Sequence, residues 1–273
     1  MLHEVAEPGP VLDGVVTRLW AIDMPRQCKV ERILPMASVE IIVNLSDPYR
    51  LLGPREPAEG SPTPRVFCTG LRRELVHFEN PERIRHICVQ LPLFGATRFG
   101  LPPVLSVQAI GGGLGERLNA LGEMLAGDDE VVLERALQLV RDVLEEHVLP
   151  ESVAQETVRR ATERLARDPA HPLGALAGDL GVSHKTLIGR FRQVLGVLPS
   201  DVARLLLLDR LLSQVPPTGE SPTWAELAAT GGFADQSHFI RTFKKFVCMT
   251  PGEYLASLRA SGYGDQHFLG SES

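Results

Sequence analysis

The sequence is poor in cysteine and has no long apolar segment. Its 273 residues include four cysteines, Cys28, Cys68, Cys88 and Cys248, which are widely spaced and form no CxxC pair. This usage argues against a disulfide framework and a zinc-binding pair, and favours buried structural thiols over a redox sensor at Cys28 or Cys68. No run approaches the roughly 20 apolar residues of a membrane span, and the N-terminus lacks a signal-peptide pattern. We therefore expect a cytoplasmic protein that does not contact a membrane.

The usual sequence marks of catalysis are also missing. The three glycines at 111–113 lack the GK[ST] ending of a phosphate loop, and no nucleophile–base pair or carboxylate pair stands at a diagnostic spacing. His77, Glu79 and His86 could contribute three metal ligands, but no fourth ligand is evident, and a core-facing or surface role is the other interpretation. We expect no catalytic residues, no metal and no cofactor. An enzyme whose active site lies in the N-terminal domain stays an alternative.

The first 100 residues or so have strand character. Short runs rich in Val, Ile, Leu and Phe are divided by Pro, Gly and Asp-Pro turns, which predicts antiparallel strands. Strands at this spacing favour a small antiparallel β barrel or sandwich in a domain of residues 1–150 that senses a ligand or dimerises. Glu40, Asn44 and Arg85 are polar residues within apolar strands. They would bind a polar ligand if they pointed into the interior, and ordinary alternation toward solvent is the other interpretation.

From Leu114 the apolar period becomes helical. It predicts a helix around 118–125, a longer one around 132–147 and a third from about Ser152 to Arg167. The first two either cover the sheet or form a dimer seam, and the sequence favours neither. The third belongs to a helical linker at 151–171, which leads to an all-α domain at 172–260 and a flexible polar tail at 261–273. The predicted fold class is therefore α+β.

Two stretches of the C-terminal region, 181–202 and 232–254, repeat each other. An offset of 52 pairs Phe191 with Phe243 and Pro199 with Pro251. Each copy has an apolar stripe, a glycine turn, a capping residue and a second helix with two buried positions, which together predict a helix-turn-helix. One such pattern is a weak signal, whereas its duplication is a strong one. Just before these stretches, Leu176 and Ala177 pair with Leu227 and Ala228 at an offset of 51, so one extra residue lies in the turn of the second copy. The other matched positions are Gly181, Ser183, Leu187 and Phe191 in the first copy, and Gly232, Asp235, Phe239 and Phe243 in the second.

The second helix of each unit carries polar and basic side chains on its outward face. Gln, Arg and Lys can read base edges, and Ser or Lys can anchor phosphates. Two such helices about one turn of DNA apart would enter successive major grooves of a duplex. The predicted DNA-binding residues are Ser183, His184, Lys185, Ile188, Gly189, Arg190 and Arg192 in the first unit, and Gln236, Ser237, His238, Arg241, Lys244 and Lys245 in the second.

These two units resemble the DNA-binding domain of the AraC/XylS family of transcription regulators. The match covers roughly Pro172 to Arg259 and is most specific between Gly232 and Tyr254. The N-terminal region is similar, more loosely, to the barrel-like sensor domains of that family, and the stretch 37–52 is its most recognisable piece. The resemblance implies a regulator of transcription with an effector-sensing domain ahead of its DNA-binding domain.

The resemblance also implies which positions meet bases. Lys185, Ile188 and Gly189 fall at such positions in the first unit, and Gln236, Ser237, His238 and Arg241 in the second. Ile188 and Gly189 stand where the family usually has polar or basic groups, and Cys248 stands where it has a glycine. We therefore expect the second unit to carry more of the base reading than the first.

Charge bears on this interpretation in two ways. The whole chain has a net charge of −6, which alone argues against a nucleic-acid partner. Residues 170–260 hold nine basic and seven acidic residues, a net charge of +2, and six of the nine lie on or beside the predicted recognition helices. Few phosphate contacts predict a modest, salt-sensitive affinity, so that a homodimer or a second protein would help to hold the operator.

The sequence thus predicts a sequence-specific transcription regulator that binds double-stranded DNA. A small-molecule effector, RNA polymerase and a second copy of the chain are the further expected partners. The alternative from another class is a protein-interaction adaptor whose helix-turn-helix units no longer read DNA, as the acidic balance suggests.

Overall fold

A computed structural model describes residues 2–52, 60–71, 75–127, 132–216, 218–261 and 267–271. The chain has the predicted α+β fold, with antiparallel sheets in the N-terminal region and helices in the C-terminal region. The described strands are β1 (Leu2–Ala6), β2 (Arg18–Pro25), β3 (Val30–Ile33), β4 (Ser38–Asn44), β5 (Arg50–Leu52), β6 (Ser61–Pro62), β7 (Val66–Thr69), β8 (Val76–Glu79), β9 (Arg83–Pro92), β10 (Gln108–Ala109) and β11 (Phe268–Ser271). The described α-helices are α1 (Gly112–Ala126), α2 (Leu133–His147), α3 (Val153–Arg167), α4 (Leu173–Asp179), α5 (His184–Leu195), α6 (Pro199–Leu212), α7 (Trp224–Thr230), α8 (Gln236–Val247) and α9 (Pro251–Ser261), and a short 3-10 helix spans Gly95–Phe99.

The N-terminal domain is a sandwich of two sheets. The larger sheet has the strand order β1-β2-β9-β4-β7-β10 and the smaller one β11-β3-β8-β5-β6. Because side chains alternate along a strand, Ile42 of β4 packs toward the smaller sheet, whereas Ile41 and Val43 pack on the opposite face. Among the described strands each sheet keeps two open edges, so the sandwich form of the prediction applies rather than a closed barrel.

Helices α1 and α2 lie on the outer face of the larger sheet. Leu118 of α1 and Leu137 of α2 are buried in the same apolar cluster as Ile41 and Val43. This is the covering role that the sequence left open against a dimer seam.

The helical region packs directly on the sandwich. Leu93 and Phe94 join the apolar cluster of α3–α6, and Leu34 joins the cluster of α6–α9. Helix α6 contributes Leu205 to the first cluster and Leu208 to the second, so it connects both helix-turn-helix units. No helix of the described chain is both long and apolar enough to cross a membrane.

The C-terminal residues depart from the expected flexible tail. Strand β11 pairs antiparallel with β3, with Phe268 opposite Ile33, and Leu269 is fully buried. Residues 268–271 therefore add an edge strand to the smaller sheet of the sandwich.

Candidate nucleic-acid interface

The first helix-turn-helix unit consists of α4 and α5. Gly181 adopts a positive φ of 67° in the turn, a conformation that favours glycine. The Ser183 hydroxyl caps α5 by accepting a hydrogen bond from the Thr186 backbone N–H at 3.1 Å. Leu187 and Phe191 are fully buried, so the opposite side of α5 is left to face outward.

The second unit, α7 and α8, repeats this construction. Gly232 has a φ of 71°, and the Asp235 carboxylate caps α8 by accepting from the His238 backbone N–H at 2.7 Å. Phe239 and Phe243 are buried and pack ring against ring at 5.6 Å. Both units were predicted with these caps and buried positions, because each feature is encoded within a few residues of sequence.

The predicted DNA-binding residues of α8 share one exposed face. Gln236, Ser237, His238, Arg241, Lys244 and Lys245 are all exposed. Four of them are basic or hold a histidine ring, so this helix presents donors and positive charge to its surroundings. The arrangement suits contacts with base edges and phosphates.

The face of α5 is less uniform. Ser183, His184, Lys185, Gly189 and Arg192 are exposed, whereas Ile188 is half-buried. Arg190 lies apart from them, because its guanidinium donates a hydrogen bond to the Thr157 hydroxyl of α3. It therefore faces the linker helix rather than the exposed side of α5.

The three polar strand residues do not form one site. Glu40 and Asn44 lie on the face of β4 that packs toward the smaller sheet, with Ile42 between them. Arg85 lies on the other face of the larger sheet, where its Nε is 3.5 Å from an oxygen of Asp23. The Asn44 side chain accepts from the Ser46 backbone N–H and donates to the Asp47 carbonyl, so it holds the turn after β4. A strand side chain changes face with each residue, and the sequence does not say which parity faces inward.

The interior between the sheets also holds His86 and Cys88. The His86 Nδ1 atom is hydrogen-bonded to the Tyr49 hydroxyl at 2.6 Å, and burial lowers the pKa of His86 to about 4. Burial also raises the pKa of Cys88 well above its usual value. Both groups are therefore neutral near pH 7. Within the described residues no group of three or more His, Cys, Asp and Glu side chains is arranged to hold a metal ion.

A groove of about 600 Å³ separates the smaller sheet from the end of the second helix-turn-helix unit. Arg32 and His77 line it on the sandwich side, and Cys248 and Glu253 line it on the helical side. Burial and the neighbouring Arg32 charge lower the pKa of His77, whose Nδ1 has no hydrogen-bond partner among the described residues. The groove therefore lies between the two domains, and its described lining includes the Arg32 guanidinium on one side and the Glu253 carboxylate on the other.

Two further groups of residues were missed at the sequence level. Asp209 of α6 accepts a hydrogen bond from the Ala37 backbone N–H at 3.1 Å, which ties the linking helix to the sandwich. On α3, Arg160, Arg164 and Arg167 are exposed and line a groove beside α4. Of these two groups, only the arginines could have been recognised from the sequence, because their spacing of four and three residues places them on one face of a helix.

The helical region is similar in sequence to known helix-turn-helix domains. Residues 176–257 match a protein-family model described as a helix-turn-helix domain. Among solved structures, ToxT from Vibrio cholerae O395 is 12% identical, with 89% of this chain and 97% of that chain covered at a TM-score of 0.49. ToxT from Vibrio cholerae strain SCE256 with bound unsaturated fatty acid is 15% identical, covering 86% of this chain and 93% of that one at a TM-score of 0.47. An AraC-type transcriptional regulator from Chromobacterium violaceum is 25% identical over 40% of this chain and 93% of its own, with a TM-score of 0.34.

Proposed function

We propose that the protein is a sequence-specific DNA-binding transcription regulator of the AraC type and not an enzyme, because residues 176–257 match the model of a helix-turn-helix domain. One observation carries the proposal: α5 and α8 are separate capped helices with exposed polar faces, and α6 packs against both units. Two helices connected in this way can enter successive major grooves on one face of a duplex. Such a protein would act in the cytoplasm.

The second unit is the main reader of bases in this proposal. Gln236, Ser237, His238 and Arg241 follow the capped N-terminus of α8 and are exposed, which is the part of a recognition helix that meets base edges. Lys244 and Lys245 in the last turn would contact phosphates. On α5 the same roles fall to Lys185 at the N-terminus and to Arg192, with Ser183 and His184 beside them.

The N-terminal domain supplies the regulation. An effector bound in the groove between Arg32 and Glu253 would contact the sandwich and α9 together, so its affinity would depend on how the two are placed. A ligand shifts an equilibrium between two arrangements by its difference in affinity for them. Occupancy of DNA, or contact with RNA polymerase, would change accordingly, and a homodimer would add a second pair of recognition helices.

Selection of duplexes from a random pool tests the DNA-binding part. The purified full-length protein at low salt is expected to enrich one motif, and Arg241→Ala is expected to lose preference at a single base position, by about 1 to 3 kcal/mol. Thermal unfolding of the variant controls for folding. If the wild-type protein enriches no motif at any salt concentration, the adaptor function replaces this proposal.

A further inference from the structure

Helix α3 presents an arginine ridge, formed by Arg160, Arg164 and Arg167. The three side chains recur at a spacing of four and three residues, so they lie on one face of the helix. Arg160 and Arg164 each expose 51% of their side-chain surface. Arg160 pairs with Glu156 at 3.9 Å, Arg164 pairs with Asp179 at 3.4 Å, and Arg167 is exposed. The ridge lines a groove of about 420 Å³ between α3 and α4.

Two contacts place the ridge beside the N-terminus of the first recognition helix. Arg190, in the middle of α5, contacts Thr157 in the first half of α3. Arg164, in the second half of α3, lies 3.4 Å from Asp179, just before the turn that leads into α5. The two helices therefore run in opposite directions, and the C-terminal half of α3 flanks the end of α5 that carries His184 and Lys185.

Asp179 occupies the position at which the ridge meets the helix-turn-helix unit. One of its carboxylate oxygens lies 3.4 Å from Arg164 Nη2 and 3.2 Å from His171 Nε2. The carboxylate is about half exposed, so the ion pair with Arg164 is a surface pair that contributes little to stability. A phosphate could replace Asp179 as the partner of Arg164 at small cost to the fold.

We propose that the arginine ridge is a phosphate-binding surface that grips the DNA backbone beside the major groove entered by α5, and that Asp179 restrains Arg164 in the free protein. This inference rests on the proposed function and extends the DNA contact onto the linker helix. The ridge is about 10 Å long, and one DNA strand carries a phosphate about every 3.4 Å along the duplex axis, so the ridge can reach at least two. It also supplies charge to a domain whose acidic and basic residues nearly balance.

Salt dependence of DNA binding measures these contacts directly. The full chain is titrated with the duplex selected by the wild-type protein, and with an unrelated duplex, at several salt concentrations. The double variant Arg164→Ala/Arg167→Ala should lose two phosphate contacts. The plot of the logarithm of its association constant for DNA against the logarithm of the salt concentration should therefore be less steep by about 1.8, since each contact contributes about 0.9. Replacement of the same pair by lysine should keep the slope, and the base preference should stay the same in both variants.

Two variants complete the test. Asp179→Asn should tighten binding to both duplexes, because it releases Arg164 and removes a negative charge close to the DNA phosphates. Arg117→Ala, which removes an exposed, ion-paired arginine from α1, should change neither the slope nor the affinity. If the wild-type protein selects a motif but the double alanine variant has the same salt dependence, the arginine ridge does not bind phosphates, and the proposed function is unaffected. Failure of the wild-type protein to bind any duplex overturns both.

Discussion

Asp209 Oδ1 lies 3.0 Å from His267 Nε2, so the helix that links the two helix-turn-helix units is tied to the C-terminal residues. The other oxygen of the same carboxylate accepts from the Ala37 backbone N–H. The His267 carbonyl in turn accepts from the Leu34 backbone N–H at 2.9 Å. One carboxylate on α6 thus connects the helical domain with the sandwich and with His267.

Removal of this carboxylate is expected to loosen the two domains. Asp209→Ala should lower the free energy of unfolding by about 1.5 to 3 kcal/mol, the usual range for hydrogen bonds to a charged group. Amide exchange should accelerate at Ala37 and in the segment 267–271. Arg210→Ala, at the next and more exposed position of α6, serves as the control and should leave exchange at those amides unchanged.

The paired chain end yields a second prediction. Leu269 is fully buried against the α6–α9 cluster, although it lies close to the C-terminus. Leu269→Ala should therefore cost about 2 to 5 kcal/mol, as for a buried leucine in a core. Leu149→Ala, whose side chain is 47% exposed, should cost much less. Equal small losses in urea unfolding of both variants would show that the tail is frayed in solution.

The contrast between the two repeats and this tail shows what the sequence encodes locally. The caps at Ser183 and Asp235, the turn glycines at Gly181 and Gly232 and the helix-opening Pro199 are all readable, because each acts within one turn of chain. Strand β11 was not predicted because its partner β3 lies far away in the sequence. The four residues of β11, Phe268–Ser271, are too few to indicate which distant strand they pair with.

The candidate site divides in the same way. The exposed face of α8 follows from helical spacing alone, whereas the position of Arg190 depends on the packing of α3 against α5. Arg85 and Glu40 read alike as polar residues in apolar strands, yet they lie on opposite faces of the larger sheet. Their faces depend on strand register and on which sheet is covered, and neither is visible in one sequence.

The His86–Tyr49 pair predicts a dependence of stability on pH. Burial lowers the pKa of His86 from the ordinary 6.5 to about 4, so between these values the unfolded chain binds a proton that the folded chain excludes. The free energy of unfolding should thus fall as the pH is lowered through this window, by up to roughly 3 kcal/mol from this group.

His86→Gln separates this contribution from the carboxylates that titrate nearby. The glutamine amide keeps a hydrogen-bonding group for Tyr49 and does not titrate. Its stability, measured by urea unfolding from pH 7 to pH 4, should fall less steeply than that of the wild-type protein. Tyr49→Phe keeps His86 and should retain the steep decrease. Parallel curves for His86→Gln and the wild type would mean that the pKa of His86 is the same in the folded and the unfolded chain.

Gly189 connects helix stability with DNA contact at one position. It lies within α5 on the exposed side, and an added Cβ would meet no atom within 4 Å. Gly189→Ala should therefore raise the free energy of unfolding by up to about 1 kcal/mol, through the higher helix propensity of alanine. If α5 enters a major groove with this face toward the bases, the methyl group approaches the base edges, and DNA binding should weaken or change its preference at one position.

Gly178→Ala, on α4 with similarly open surroundings, should leave binding unchanged. A variant at Gly189 that gains stability and binds the selected duplex as tightly as the wild type would place DNA away from this face of α5.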